Sequence, residues 1–321
     1  MIINSSKENI QKAADEIISG GIVAFPTETV YGLGADGLNP TAVAKIFEAK
    51  QRPSFNPLIL HISSSDQLND LVTIENDIVY KLINKFWPGP LTLVLTKKDI
   101  VPDIVTAGNP TVAVRMPNHP IAKALIDACG RPIAAPSANQ FGFLSPTTAE
   151  HVEKQLGDKV KIILDGGKSN VGVESTIVEI TKTEVFLLRH GGISLEQLTE
   201  VCNLVKVKVN NFDKPNAPGQ LIQHYAPNIP LKFLSEISDG DIKGKKLGAL
   251  FFKENNSKIK FEQIEFLSKN GDMREAAANL FFHLHNLENK DLDLILVETI
   301  ESTGLGIAIM DRLIKATNTY K

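Results

Sequence analysis

The chain has 321 residues, 43% of them hydrophobic, which is sufficient for about two domains with a large core. A net charge of −3 creates no general field that would favour nucleic acid or an anionic membrane. The two cysteines, Cys129 and Cys202, lie far apart without metal-ligand spacing, so neither a zinc site nor a disulfide framework is predicted. No apolar run approaches the ~18 residues of a membrane span, and a cytoplasmic protein is expected.

Helices and short strands are mixed in the first two thirds of the chain. A capping-box pattern at Ser5 and Glu8 predicts a first helix, which ends at Gly20-Gly21. Further helices are predicted over 41–50 and 121–129, and strands over 22–25, 58–62, 91–95, 112–115, 133–135, 162–164, 175–180 and 185–189. Because several strands are close in sequence, the pattern indicates an α/β fold around a twisted sheet with both parallel and antiparallel strands.

The character of the sequence changes near residue 209. Residues 206–230 are polar and rich in turn formers, including Pro218-Gly219, and they predict a linker between domains over 1–205 and 231–321. Beyond the linker, strands over 247–252 and 292–298 alternate with helices over 273–290 and 307–317. This alternation is typical of a small, Rossmann-like domain with three layers.

Glycine motifs for phosphate binding are either incomplete or weak in this chain. Gly167-Lys168-Ser169 resembles the end of a Walker A loop, but Ile162 occupies the position of its first glycine. Gly304-x-Gly306 lacks the third glycine of a dinucleotide-binding loop, and Gly32-x-Gly34-x-x-Gly37 has the full G-x-G-x-x-G spacing, which is a weak signal by itself. Turns are therefore favoured over nucleotide loops at all three places.

Lys50 and Arg52 stand at the end of a predicted helix, just before Pro53. One interpretation is that they interact with the helix dipole, which contributes ~0.3–1 kcal/mol. The other is a polyphosphate site, in which lysine supplies a point charge and arginine a bidentate fork. Taken alone, these two residues favour the first interpretation.

Polar residues also follow several apolar strands. His61 lies inside an apolar strand, where a satisfied core histidine is the usual explanation, whereas a partly buried Arg115 requires an internal or a ligand carboxylate. Each remaining loop is explained either by turn and cap chemistry or by ligand binding. Five such loops together indicate one cleft. Their polar residues include Thr29, Ser137, Asn139, Ser145, Ser175 and Arg189.

These segments closely resemble the L-threonylcarbamoyladenylate synthases, in the long two-domain form with a YrdC-like catalytic domain. The resemblance spans nearly the whole chain, and Lys50-x-Arg52 with Ser137-x-Asn139 is its most specific part. The other matching segments are Pro26–Leu33, Asn56–Ile59, Pro88–Thr92, Val114–Pro117, Glu174–Thr176, Arg189–Gly191, Pro218-Gly219, His224–Pro227, Gly304–Gly306 and Ile309–Leu313.

The resemblance implies that residues 1–205 are catalytic and that the linker crosses the active site. It implies synthesis of threonylcarbamoyl-AMP from L-threonine, bicarbonate and ATP, with Mg²⁺ bound mainly through the ATP phosphates. Lys50, Arg52, Ser137 and Asn139 would form the catalytic tetrad. The implied ATP contacts are Arg52, Asn56, Thr111, Ser137, Ser145, Arg189 and Tyr225. The implied threonine contacts are Thr29, His61, Arg115, Ala135 (through its backbone) and Ser175.

The resemblance also implies that the product passes to the machinery that modifies tRNA next to the anticodon. The main alternative is an RNA-binding module without catalysis, against which the net charge and the low aromatic content argue. No strong direct binding of nucleic acid is therefore expected. A related enzyme that uses carbamoyl phosphate would carry zinc-binding modules, and two cysteines exclude those.

Overall fold

The computed structural model describes residues 1–203, 205–207, 217–219, 221, 224–254 and 257–320, so much of the predicted linker lies outside the described residues. The helices are Lys7–Ile18 (α1), Pro40–Lys50 (α2), Ser65–Leu71 (α3), Ile78–Phe86 (α4), Asp103–Thr106 (α5), Pro120–Cys129 (α6), Ala149–Leu156 (α7), Leu195–Thr199 (α8), Asp239–Ile242 (α9), Met273–Glu288 (α10) and Leu305–Asn318 (α11), with a 3₁₀ turn at Leu234–Glu236. No helix in these ranges is both long and apolar enough to cross a membrane.

The strands form two separate sheets. They are Ile2–Asn4 (β1), Val23–Phe25 (β2), Gly32–Asp36 (β3), Ile59–His61 (β4), Val72–Thr73 (β5), Leu91–Lys97 (β6), Thr111–Arg115 (β7), Ile133–Ala134 (β8), Ile162–Asp165 (β9), Thr176–Ile180 (β10), Val185–Arg189 (β11), Lys206–Val207 (β12), Leu231–Phe233 (β13), Leu247–Phe251 (β14), Gln263–Phe266 (β15) and Leu294–Val297 (β16).

The large sheet has the order β1-β9-β2-β3-β8-β4-β7-β6-β10-β11-β12, with β5 paired to β6. Its pairs β2–β9, β4–β7 and β6–β10 are parallel, whereas β2–β3, β6–β7 and β10–β11 are antiparallel. The predicted mixed sheet is therefore confirmed. The hairpin of β10 and β11 was also predicted, and its antiparallel register is interrupted by an irregularity between Ile177 and Val178.

The smaller sheet has the order β13-β16-β14-β15, and all its pairs are parallel. Along β14 and β16 the side chains alternate between two apolar clusters, as the two-residue period of a strand requires. Leu250 and Val297 face α10 and α11, while Leu247 and Leu296 face the 3₁₀ turn and α9. A parallel sheet covered on both faces confirms the predicted Rossmann-like domain.

The turn predicted at Gly32-x-Gly34 is wrong, because these residues form the buried strand β3. A Cβ atom on Gly34 would lie 2.7 Å from the side chain of Ile133 and 2.8 Å from the ring of Phe25. The glycines therefore permit close packing inside the sheet. The pattern of apolar residues could not reveal this, since glycine carries no side chain to contribute to it.

The first helix was placed correctly, but its cap was assigned one residue too early. Ser6 is extended, and its hydroxyl accepts from the amide of Asn9 at 3.2 Å, which is the geometry of an N-cap. The hydroxyl of Ser5 instead donates to the main-chain oxygen of Asp165. Ser5 thus ties the start of α1 to the end of β9, a long-range contact that a local pattern does not show.

The two domains share one apolar cluster. Val30, Leu144 and Val173 from the large domain pack with Leu280 and Phe281 of α10. Because these side chains are almost fully buried, the interface resembles the interior of a single domain. The second domain is consequently held directly against the strand-end loops of the first.

Candidate active site

Loops of the first domain and residues of the linker line a cavity with about 540 Å³ of empty space, part of which is open to solvent. Most of the predicted site residues line it, so the strand-end loops do converge on one cleft. The nine that line the cavity are Thr29, Arg52, His61, Arg115, Ala135, Ser137, Ser175, Arg189 and Tyr225. Four further polar residues of the lining had no role predicted from the sequence: Thr27, Tyr31, Glu174 and His224.

Arg52 is directed into the cavity by the end of α2. Gln51 adopts a left-handed conformation (φ 52°), and the amide of Arg52 returns to the carbonyl of Phe47 at 3.0 Å. The guanidinium donates from Nε to Asn56 O at 3.2 Å and from Nη2 to Pro57 O at 2.9 Å. Burial lowers the pKa of Arg52 to about 9, which still leaves the side chain charged at neutral pH.

Lys50 does not line the cavity, although it neighbours Arg52. Lys50 is 1% exposed, and its ammonium donates to the main-chain oxygens of Ser137, at 2.6 Å, and Asn139. Burial lowers the pKa of Lys50 well below its usual value, and the charge of Arg52 adds to the effect. Lys50 therefore binds the loop that presents Ser137. These hydrogen bonds go to a different segment of the chain and not to the carbonyls at the end of its own helix.

Asn139 is buried on the same loop. Its side-chain amide donates to the main-chain oxygens of Gln140 and Phe143, both at 2.8 Å, and its side-chain oxygen accepts from Ser137 Oγ at 2.5 Å. The amide thus fixes the turn that follows Ser137. Of the predicted tetrad, Arg52 and Ser137 line the cavity, while Lys50 and Asn139 lie behind them.

Arg115 has an internal carboxylate partner, one of the two possibilities predicted from the sequence. Its Nη2 lies 2.6 Å from Glu28 Oε1, and both side chains are 4% exposed. Nη1 donates to Thr29 Oγ1 at 3.0 Å and Nε to Gly89 O at 3.2 Å. The parallel register of β4 and β7 pairs His61 with Arg115, which places both residues at one end of the cavity.

Arg189 ends β11 and is held against Ser175. Its Nε and Nη2 donate to Ser175 O at 3.1 and 2.8 Å, and Nη2 also lies 3.2 Å from Ser175 Oγ. The hydroxyl of Ser175 is 2.7 Å from that of Thr92 on β6. These contacts fix both the guanidinium and the hydroxyl where they line the cavity.

The linker closes the cavity on the side of Arg189. Nη1 of Arg189 donates to Pro218 O at 3.1 Å, and Lys315 of α11 donates to the next carbonyl, Gly219 O, at 2.7 Å. Gly219 has a φ of 81°, and a Cβ there would lie 2.7 Å from Tyr225 Oη. Tyr225 itself is 2% exposed with a φ of 66°, an uncommon conformation for a residue with a side chain.

His224 and Glu174 complete the polar lining. Burial, followed by the field of Arg52 and Lys50, lowers the pKa of His224 well below its usual value, so the ring is neutral. Glu174 accepts from Ser145 Oγ at 2.6 Å and from Arg312 Nε at 3.0 Å. Arg312 and the hydroxyl of Ser145 counter the cost of burial, and the pKa of Glu174 lies below its usual value. Both residues lie in segments that match the family, Glu174–Thr176 and His224–Pro227. Those matches were the sequence signal that could have identified them.

Comparison with known proteins identifies the family. The family model described as "Telomere recombination" matches residues 15–191, and that of the threonylcarbamoyl-AMP synthase C-terminal domain matches residues 193–318. A threonylcarbamoyl-AMP synthase from Pyrococcus abyssi (strain GE5 / Orsay) is 42% identical, over 98% of this chain and 97% of that protein. The chain belongs to the threonylcarbamoyl-AMP synthase family.

Other members of this family agree with that assignment over nearly the whole chain. The threonylcarbamoyl-AMP synthase of Bacillus subtilis (strain 168) is 41% identical, over 98% of this chain and 94% of that protein. The crystal structure of P. abyssi Sua5 complexed with L-threonine superposes with a TM-score of 0.92 at 41% identity, covering 99% of this chain and 98% of that one. The long two-domain form predicted from the motifs is thereby confirmed.

Three more residues with an implied ATP contact do not line the cavity of this synthase-family chain. Asn56 is 1% exposed, and neither polar atom of its side chain has a hydrogen-bond partner among the described residues. Thr111 begins β7 opposite Thr96, and Ser145 is turned toward Glu174. Ala135 does line the cavity, but its backbone amide already donates to Ile59 O at 2.9 Å.

The described residues offer no cage for Mg²⁺. No group of three or more His, Cys, Asp or Glu side chains within them is arranged to hold a metal ion. Glu174 is the one carboxylate in the described lining, and Ser145 and Arg312 already occupy its oxygens. Since Mg²⁺ prefers octahedral oxygen ligands, this lining does not fit a resident magnesium ion.

Proposed function

We propose that this chain synthesises threonylcarbamoyl-AMP from L-threonine, bicarbonate and ATP and releases pyrophosphate. The observation that supports this most is the convergence of three arginines, Arg52, Arg115 and Arg189, on one cavity closed by the linker. ATP and a carboxylated amino acid are both anions, and they repel each other at bonding distance. Three fixed cations can hold both anions together, which is the main requirement of the reaction.

The nucleotide is assigned to the part of the cavity beside the linker. There Arg52 and Arg189 supply charge, Ser137 supplies a hydroxyl and Tyr225 covers the site. The side-chain amide of Asn56 has no hydrogen-bond partner among the described residues, while the main-chain oxygen of Asn56 accepts from Arg52. A ligand bound beside Arg52 would satisfy that side-chain amide. Ser145 and Thr111 are assigned to ATP on the family resemblance. Magnesium would enter with ATP, bound to its phosphates.

Threonine is assigned to the end of the cavity at Arg115. This guanidinium, oriented by Glu28 and Thr29, suits the carboxylate of the amino acid. Burial lowers the pKa of His61 to about 3, so its ring is neutral and contributes a hydrogen bond without charge. Ser175 and the backbone of Ala135 complete this part of the proposed site.

The chemistry then requires little from the protein besides positioning. The amine of threonine takes up the carbon of bicarbonate with loss of water, which gives a carbamate. An oxygen of this carbamate attacks the α-phosphorus, and the bond to the bridging oxygen breaks, so that pyrophosphate leaves with the electron pair. Because the carbamate is already an anionic nucleophile, no general base is needed at this step. Arg52 and Arg189 would neutralise the charge of the leaving pyrophosphate.

The product is a mixed anhydride, which water hydrolyses readily. A closed cavity protects it, and Tyr225 and Gly219 provide that closure here. The proposed role in the cell is to supply this product to the tRNA-modifying machinery in the cytoplasm. Transfer requires the linker to open after synthesis.

The test is pyrophosphate release from ATP, measured with threonine and bicarbonate added singly and together. Release that requires both substrates is expected, and Arg52→Gln should abolish it while exposed Arg274→Gln does not. Release independent of threonine would contradict the proposal. Salt-sensitive RNA binding without turnover would favour the RNA-binding alternative instead.

A further inference from the structure

Two residues of the last helix reach the site in the first domain. Arg312 of α11 is 1% exposed and donates from Nε to Glu174 Oε2 at 3.0 Å. Its Nη1 donates to His190 O at 2.8 Å, in the loop that follows Arg189. Three residues farther along α11, Lys315 donates to Gly219 O in the linker. The second domain therefore contacts both the lining and the closing segment of the cavity.

Glu174 transmits the contact of Arg312 to other groups of the site. Its second oxygen accepts from Ser145 Oγ at 2.6 Å, so the arginine, the carboxylate and the hydroxyl form one chain of hydrogen bonds. The main-chain oxygen of Ser145 is also held by the second domain, through His285 Nε2 at 3.2 Å. The guanidinium of Arg312 further lies 5.3 Å from the centre of the Tyr225 ring, a cation–π contact.

The charges of Glu174 and Arg312 indicate that this contact does more than pack the two domains together. The carboxylate of Glu174 lies in the lining beside Ser175 and Arg189, where the proposed function places anionic substrates. Without a counter-ion, a buried carboxylate in that position would repel a polyphosphate strongly, because the surroundings screen it little. Arg312 supplies the counter-ion from the other domain.

We propose that Arg312 and Lys315 are positioning residues for the nucleotide. Arg312 neutralises Glu174 and thereby orients Ser145 and Tyr225, and Lys315 holds the linker closed at Gly219. The second domain thus completes the ATP site of the first without itself contacting the reacting atoms. This inference rests on the proposed function, and it assigns to α11 a role in nucleotide affinity.

The decisive experiment compares Arg312→Gln, Glu174→Gln and the double variant by the KM for ATP, the KM for threonine and kcat. We expect Arg312→Gln to raise the KM for ATP by about tenfold or more, because Glu174 then keeps its charge but loses its ion-pair partner. In the double variant two neutral amides face each other, so the KM for ATP should return most of the way toward that of the wild type. Arg274→Gln, an exposed arginine of the same domain, is the matched control.

A role in packing alone gives a different result. If Arg312→Gln lowers the thermal midpoint while the KM for ATP stays unchanged, or if Glu174→Gln does not restore it, the proposal is wrong. Should Arg312→Gln fail to fold, Lys315→Met is the second variant, with the exposed Lys246→Met as its control. A raised KM for ATP in Lys315→Met supports the proposal, and an unchanged value overturns it. A wild-type chain without threonine-dependent pyrophosphate release would instead contradict the proposed function.

Discussion

The ammonium of Lys50 lies 2.6 Å from the main-chain oxygen of Ser137, and it also donates to Asn139 on the same loop. It is buried behind the cavity, whereas Ser137 lines it. Since a buried donor that holds two carbonyls fixes their loop, Lys50 acts on the site through the position of Ser137. The direct binding of phosphate by Lys50 stays a prediction from the motif.

Lys50→Met is expected to reduce both stability and turnover. Two buried carbonyls lose their donor, and an unsatisfied buried group costs about 1–3 kcal/mol. The thermal midpoint should therefore fall by several degrees, together with a large loss of pyrophosphate release. Lys45→Met on the same helix removes a hydrogen bond to Gly20 O and serves as the control. Full turnover in Lys50→Met would contradict the role of Lys50 in placing Ser137.

Arg115→Lys should weaken the binding of threonine selectively. The substitution keeps the charge beside Glu28 but removes the fork that contacts Glu28, Thr29 and Gly89 together. We expect the KM for threonine to rise by about tenfold, equivalent to 1.4 kcal/mol, with a small change in the KM for ATP. Steady-state kinetics with each substrate varied in turn measures both values. An equal rise in both would indicate a general disturbance of the cavity.

Gly219→Ala should prevent the linker from closing over the cavity. The residue has a φ of 81°, and an added Cβ would approach Tyr225 Oη to 2.7 Å and Arg189 Cδ to 3.0 Å. Gly108→Ala is the control, because its φ of 72° imposes similar backbone strain while no atom lies near the new Cβ. Only Gly219→Ala should lose product synthesis, measured as threonylcarbamoyl-AMP formed per ATP consumed. A similar loss in both variants would attribute the effect to backbone strain.

The sequence was informative where function depends on local position. Arg52, Arg115 and Arg189 each stand at the end of an element, and that placement predicted a common cleft. The ion pair between Glu174 and Arg312 joins residues 138 positions apart in two domains, so no local pattern contains it. The burial of Lys50 was likewise hidden, because its partners belong to a loop 87 residues away. Such contacts arise from packing between elements, which periodicity along one element does not encode.

Acid should loosen the interface between the domains through His151. This histidine of α7 stacks on His285 of α10 with ring centroids 3.9 Å apart, and burial, followed by the field of His285 and Lys154, lowers the pKa of His151 to about 3. In the unfolded chain the value is about 6.5, so the unfolded state binds more protons between these two values. Stability therefore falls as the pH falls from about 6.5 toward 3. Thermal midpoints across this range should fall less steeply for His151→Phe, and identical slopes would contradict this account.

Deleting residues 205–321 should abolish synthesis even though the large sheet keeps its own core. The deletion exposes Val30, Leu144 and Val173, which pack against α10, and it leaves Glu174 without Arg312. We therefore expect a folded product with a lower thermal midpoint, increased binding of a hydrophobic dye and little pyrophosphate release. Adding the separate second domain at high concentration should restore part of the activity if docking alone is required. Full synthesis by the truncated chain would show that neither the linker nor α11 is needed for catalysis.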